Sequence, residues 1–182
     1  MSELTVGARY AKSLIDLAEE QSSLEAVKND MDMFVQTLKA NTELQAVLRN
    51  PIIAHDKKIK ILEAVFADKI SKATDGFFKI MINKSRGELL YFAAQEFVNQ
   101  YNIKKNIVKA TITSATPLSA DNEAKITALL KTETGANIIL QTKVDPSLIG
   151  GFVLTVGDRQ VNTSIADKLK KLKSDFAKKV IE

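Results

Sequence analysis

The spacing of apolar residues changes once along this chain, near residue 102, and that change limits what it can fold into. Up to about Asn102, apolar side chains recur at intervals of three and four, the period of a helix with one buried face. Beyond Tyr101, the run Ile107-Val108-Lys109-Ala110-Thr111-Ile112-Thr113 is rich in β-branched residues and reads as a strand. Two textures in sequence predict an α+β fold that is mainly α. A six-helix bundle over 1–105 is expected first, then a small mixed α/β domain over 106–182.

The first helix is expected over about 4–20. Ser22 with Glu25 three residues on has the form of a capping box for a second helix carrying Val27, Met31, Phe34 and Leu38. Thr42 opens a short third helix that Pro51 stops. A fourth carries Ile59, Leu62, Val65 and Phe66; a fifth runs over about 70–84; a sixth follows the break at Gly87. In the second half, Ser119 leads into a helix that Gly135 ends, and a second strand covers 137–144. A final helix starts at about Ser164.

Composition narrows the chemistry. With 45% hydrophobic and 26% charged residues the chain is ordinary globular material. The absence of cysteine excludes thiolate catalysis, disulfides and thiolate-ligated metals. The formal charge of +4 suits an acidic protein, an anionic membrane or nucleic acid equally. No apolar run reaches the roughly 18–20 residues of a membrane span. The first residues, MSELTVGARYAKSL, lack a secretory h-region, so a cytoplasmic-type protein is expected. His55 is the only histidine and sits at an expected helix start, where capping or solvation outweighs catalysis. No catalytic constellation, metal site or cofactor motif emerges, and a non-catalytic role is expected.

The stretch GGFVLTVGDRQVNTS, Gly150 to Ser164, contains glycines, the residue type on which phosphate loops are built. Their spacing fits neither a P-loop nor a dinucleotide fingerprint, because they flank a strand instead of joining a strand to a helix. A structural hairpin accounts for them. Phe152 to Val156 forms one strand, Gly157-Asp158 the two-residue turn, and Arg159 to Thr163 the return. Gly150-Gly151 suits a bulge or close backbone approach, and Ser164 caps the last helix with Asp167 in support.

That segment also resembles the delta subunit family of F-type ATP synthases, known in mitochondria as oligomycin-sensitivity conferring protein. The family pattern is matched at Ile149, Gly150, Gly151, Phe152, Val153, Gly157, Asp158, Val161 and Ser164. It departs at Asn162, where the family usually has Asp, and at Thr155, often basic; Asn keeps a short polar side chain for local turn bonding. Ala8-Arg9-Tyr10-Ala11-Lys12-Ser13-Leu14 is similar to the family's opening run, with Ser13 at a usual Ala position.

Helix one carries two apolar stripes side by side. Val6, Tyr10, Leu14 and Leu17 form one; Leu4, Ala8, Ala11, Ile15 and Ala18 form the other. Together they span roughly 200°, about twice what a core-facing surface helix needs. Helix five repeats this with Ile70, Ala73, Phe77, Ile80 and Met81, widened by Phe78 and Ile82. Either both helices are central and bury everything internally, or they share an open groove for an amphipathic helix of another chain. The resemblance implies the groove. It places the N-terminal helix of an alpha subunit against Val6, Tyr10, Ala11, Leu14, Phe77, Phe78, Ile80 and Met81.

The final helix has a narrower stripe, Ile165, Leu169, Leu172, Phe176 and Val180, among many lysines. The resemblance implies that the b subunits of the peripheral stalk bind there, with Ile165, Leu169, Leu172 and Phe176 as contacts. It further implies one copy per complex, at the cytoplasmic face of a bacterial inner membrane, reached only through the assembly. The role implied is a stator coupling proton translocation to ATP synthesis. The alternative is a basic two-domain RNA-binding protein, against which stand the few aromatics among the lysines.

Overall fold

The structure is a computed structural model that describes residues 3–66 and 69–179. The chain forms two compact units, Met1–Asn102 and Ile103–Glu182. The division falls inside the last turn of a helix, earlier than the position 105 expected from sequence texture. The buried Tyr101 and Asn102 end the helical core, and Ile103 beyond them is exposed.

The first unit contains α1 (Glu3–Glu20), α2 (Leu24–Ala40), α3 (Thr42–Arg49), α4 (His55–Phe66), α5 (Lys72–Asn83) and α6 (Leu90–Lys104). Its core is built on α2, whose Val27, Met31, Phe34 and Leu38 are all buried at helical spacing. Phe34 stacks on Phe78 with ring centroids 4.5 Å apart and on Phe66 at 5.4 Å, so α2, α4 and α5 share one aromatic cluster. Rings buried this fully contribute about 2–3 kcal/mol each by area removed from water. Buried Leu14 and Ile15 of α1 and Phe97 of α6 extend this core. A Cβ at Gly7 would sit 2.4 Å from the Phe92 ring, so glycine there lets α1 lie close on α6.

Two polar ties fix helix positions. The Asp30 carboxylate, 7% exposed, accepts from the Ser71 amide and the Thr74 hydroxyl, both at 2.8 Å, and so pins the start of α5 to α2. The Tyr101 hydroxyl donates to both oxygens of Glu25, at 2.7 and 2.8 Å. This contact corrects the expected capping box. Ser22 lies at φ +51°, α2 opens after Ser23 without a side-chain cap, and the Glu25 carboxylate is held by Tyr101. Asn41 in turn caps α3 through Leu44.

The second unit is a four-stranded sheet in the order β2-β1-β3-β4, with β1 Ile107–Ser114, β2 Asn137–Val144, β3 Phe152–Val156 and β4 Arg159–Asn162. β1 and β2 are parallel, which requires a crossover, supplied by α7 (Ala120–Thr134). Ser119 caps that helix and Gly135 ends it at φ +65°. β3 runs antiparallel to both β1 and β4. Ala110 and Ile112 of β1, Leu130 of α7 and Ala136 form the buried centre.

The Gly-rich stretch is a hairpin. Gly157 takes φ +57° at the first turn position, and Asp158 completes the two-residue turn between β3 and β4. A Cβ at Gly151, itself at φ +75°, would lie 2.5 Å from the Thr163 carbonyl oxygen. Gly150 faces Ile165, whose amide donates to the Gly150 carbonyl at 2.9 Å. Ser164 is the cap of α8 (Ile165–Lys179). Its hydroxyl donates to Asn162 Oδ1 at 2.7 Å and accepts from the Asp167 amide at 3.2 Å. Asn162 therefore does the local bonding expected of a short polar side chain there. Val180 lies outside the described residues.

Candidate functional site

α1 and α5 leave a hollow of about 450 Å³ between them. From α1 it is lined by Tyr10, Leu14 and Leu17, and from α5 by Ala73, Gly76, Phe77 and Ile80. Its walls expose large apolar side chains to solvent: Ile80 is 55% and Leu17 40% exposed. A second hollow of about 240 Å³ continues past Tyr10, with Val6, Arg9, Ser13 and Arg86 around it. The two share Tyr10 and Ser13, so they form one furrow along α1.

Tyr10 is fixed in that furrow from two sides. Its hydroxyl accepts a hydrogen bond from Arg86 Nη1 at 2.6 Å, and the guanidinium carbon lies 5.2 Å from the ring centroid. The ring also meets Phe77 nearly edge-on, centroids 6.4 Å apart. Arg9 and Arg86 stand at one end of the furrow and Lys72 at the other, and no carboxylate is among its described lining residues. The nearby acid of α5, Asp75, is engaged by Lys79, which also reaches Glu63, each at 2.8 Å. Hydrogen bonds to those two carboxylates hold the Lys79 ammonium well above the usual lysine range.

The structure sorts the residues expected to meet a partner helix. Tyr10, Leu14, Phe77 and Ile80 come together in the larger hollow, where Leu14 and Phe77, at 2% and 8% exposed, form its buried floor, and Val6 lines the smaller. Ala11, Phe78 and Met81 are 2% exposed or less and belong to the unit's own core. The wide apolar arcs of α1 and α5 are thus divided: one flank is sealed internally and the other remains open. Leu17, Gly76 and Arg86 were not among the expected contacts. Leu17 was legible, three residues beyond Leu14 on the same stripe; Arg86 was not, since nothing local links it to Tyr10.

On α8, Ile165, Leu169, Leu172 and Phe176 share one face, and all four are exposed. An i,i+4 pair of Lys171 with Asp167 at 2.8 Å supports its first turns and raises the Lys171 ammonium above its ordinary value.

A third cavity, of about 260 Å³, is lined in part by His55, Lys58 and Ser85. The buried Lys58 ammonium donates to the Leu48 carbonyl at 2.9 Å, satisfying an end group of α3. His55 begins α4, and its Nε2 lies 3.3 Å from the Ser85 hydroxyl. Among the described residues, no cluster of three or more His, Cys, Asp or Glu is placed to hold a metal ion.

The family model described as ATP synthase delta (OSCP) subunit matches residues 6–176. The ATP synthase subunit delta of Cytophaga hutchinsonii is 37% identical over 181 residues, covering 100% of this chain and 99% of the relative. That of Flavobacterium johnsoniae is 36% identical, covering 97% and 99%. Among solved structures, a chain of the Toxoplasma gondii mitochondrial ATP synthase hexamer is similar with a TM-score of 0.69. It is 24% identical, covering 94% of this chain and 97% of that one, and so bears on the fold.

Proposed function

The chain belongs to the ATP synthase delta (OSCP) subunit family, and from that premise we propose that its α1–α5 furrow holds the N-terminal helix of an alpha subunit. As a delta subunit it is a non-catalytic component of the peripheral stalk of an F-type ATP synthase. An RNA-binding role has no support among its relatives. Among the described residues no helix is long and apolar enough to cross a membrane, which fits peripheral association through the complex.

The observation that carries the proposal is the open flank of the furrow. Leu17 and Ile80 expose apolar area beside a hollow of about 450 Å³, on helices whose other sides are already buried. An amphipathic helix laid there covers that area with i, i+3, i+4 and i+7 anchors. The cationic ends, Arg9 with Arg86 and Lys72, favour a segment with carboxylates flanking its apolar face. In this reading the helical unit, a six-helix bundle, is the grip on the catalytic ring. The exposed stripe of α8 is the grip on the b subunits. The subunit holds the ring against the drag of the rotor and lies at the cytoplasmic face of the bacterial membrane. Desolvated apolar contact suits a static tether, because interface quality acts mainly on dissociation rate.

The test is calorimetric titration of the full chain with a synthetic peptide of the alpha N-terminus from the same organism. Leu17→Asp combined with Ile80→Asp leaves the fold intact, since both side chains face solvent, and lowers affinity at least about a hundredfold. Unchanged affinity in that variant sinks the assignment.

A further inference from the structure

The helices walling the furrow each contain a glycine, and the two serve different ends. Gly7 of α1 has an internal reason: a Cβ there would lie 2.4 Å from the Phe92 ring. Gly76 of α5 has none. A Cβ built on it meets no atom within 4 Å, and the residue sits inside a regular helix that ends only at Asn83. Glycine within a helix is less favourable than alanine, because it surrenders more backbone freedom on folding. Among the described residues, no contact of a Cβ at this position offsets that loss. What Gly76 does supply is space in the furrow floor, between Ala73 and Ile80 on α5 and facing Tyr10 and Leu17 on α1.

We infer that Gly76 forms the hole into which the docked helix drops one bulky apolar side chain, a Leu, Ile, Met or Phe. Helices pack by setting side-chain knobs of one between the ridges of the other, and a missing side chain in one ridge makes the deepest seat. The surroundings of Gly76 fit that role: Phe77, Ile80 and Leu17 give it apolar walls, and the hollow there is the larger part of the furrow. The rim charges set the register. With Arg9 and Arg86 at one end and Lys72 at the other, the knob lies between two acidic stretches of the occupant. The inference rests on the furrow being the seat of the alpha-subunit segment, and it adds which residue fixes how that segment sits.

The experiment compares the full chain with its Gly76→Ala and Gly76→Leu variants, by thermal unfolding alone and by titration with the alpha N-terminal peptide. The free Gly76→Ala chain is expected to melt roughly 2–6 °C higher, as a helix-interior glycine replaced without a clash should. The same variant binds the peptide about threefold more weakly, and Gly76→Leu loses at least about thirtyfold, because the seat is filled. A lower midpoint for Gly76→Ala overturns the inference, since the glycine would then serve the chain's own packing. Binding by Gly76→Leu within twofold of the native chain overturns it while leaving the furrow assignment standing. No binding by the native chain overturns both.

Discussion

The Arg86 guanidinium donates to the Tyr10 hydroxyl at 2.6 Å, joining the segment after α5 to α1 across 76 residues of sequence. The pair closes one end of the furrow and holds the Tyr10 ring against Phe77. It is solvent-exposed, so its net worth is modest, about 0.5–1 kcal/mol. A double-mutant cycle of Tyr10→Phe and Arg86→Gln, followed by denaturant unfolding, should return a coupling of that size. Additive effects would mean that the two groups do not meet in solution.

Asp30 should matter far more, because it is buried. Asp30→Ala leaves the Ser71 amide and Thr74 hydroxyl without their acceptor and is expected to cost about 2–4 kcal/mol. Asp30→Asn keeps one oxygen in place and should cost roughly half as much. Urea unfolding of the two variants checks the order; an alanine variant within about 0.5 kcal/mol of native contradicts it.

The adjacent glycines of the second unit should respond unequally. Gly151→Ala places a Cβ 2.5 Å from a backbone carbonyl at φ +75°, and neither can yield, so a loss of at least about 2 kcal/mol is expected. Gly150→Ala meets only the flexible end of the Ile165 side chain, its terminal methyl at 2.6 Å and Cγ1 at 3.4 Å, which can rotate away, so it should cost about 1 kcal/mol or less. Thermal unfolding distinguishes the two, and the reverse order would contradict the close approach of Gly151 to Thr163.

Tyr101 gives the helical unit a dependence on alkaline pH. Burial, then the Glu25 carboxylate at its hydroxyl, pushes its ionisation up to about 12. An unfolded tyrosine ionises near 10. The contribution of this hydrogen bond is therefore complete below pH about 10 and fades as pH rises toward 12. Native protein should be more stable than Tyr101→Phe at pH 8, with the gap narrowing above pH about 10. A gap that stays constant through that range would show that the Tyr101 hydroxyl is not held as described.

What sequence could disclose tracks how local the cause is. The hairpin at Gly157-Asp158, the caps at Ser119 and Ser164 and the stop at Gly135 each depend on neighbours a few residues away, and their chemistry was legible. The capping box of Ser22 and Glu25 was misread for the opposite reason, since Tyr101 claims that carboxylate from 76 residues away. The same limit governs the candidate site. Periodicity showed that α1 and α5 are apolar over a wide arc, but which flank the other helices cover depends on tertiary packing. So Ala11, Phe78 and Met81 fell on the sealed side and Leu17 on the open one. Gly76 reads as an ordinary blemish in a helix until the empty space above it is visible.

The most direct test of the central claim, that the furrow of α1 and α5 seats a foreign helix, is to titrate the isotopically labelled full chain with the alpha N-terminal peptide and follow each backbone amide. Saturable shifts are expected at Tyr10, Leu17, Gly76, Phe77 and Ile80, with the sheet residues unmoved. Saturable binding whose shifts avoid those five positions would contradict the claim.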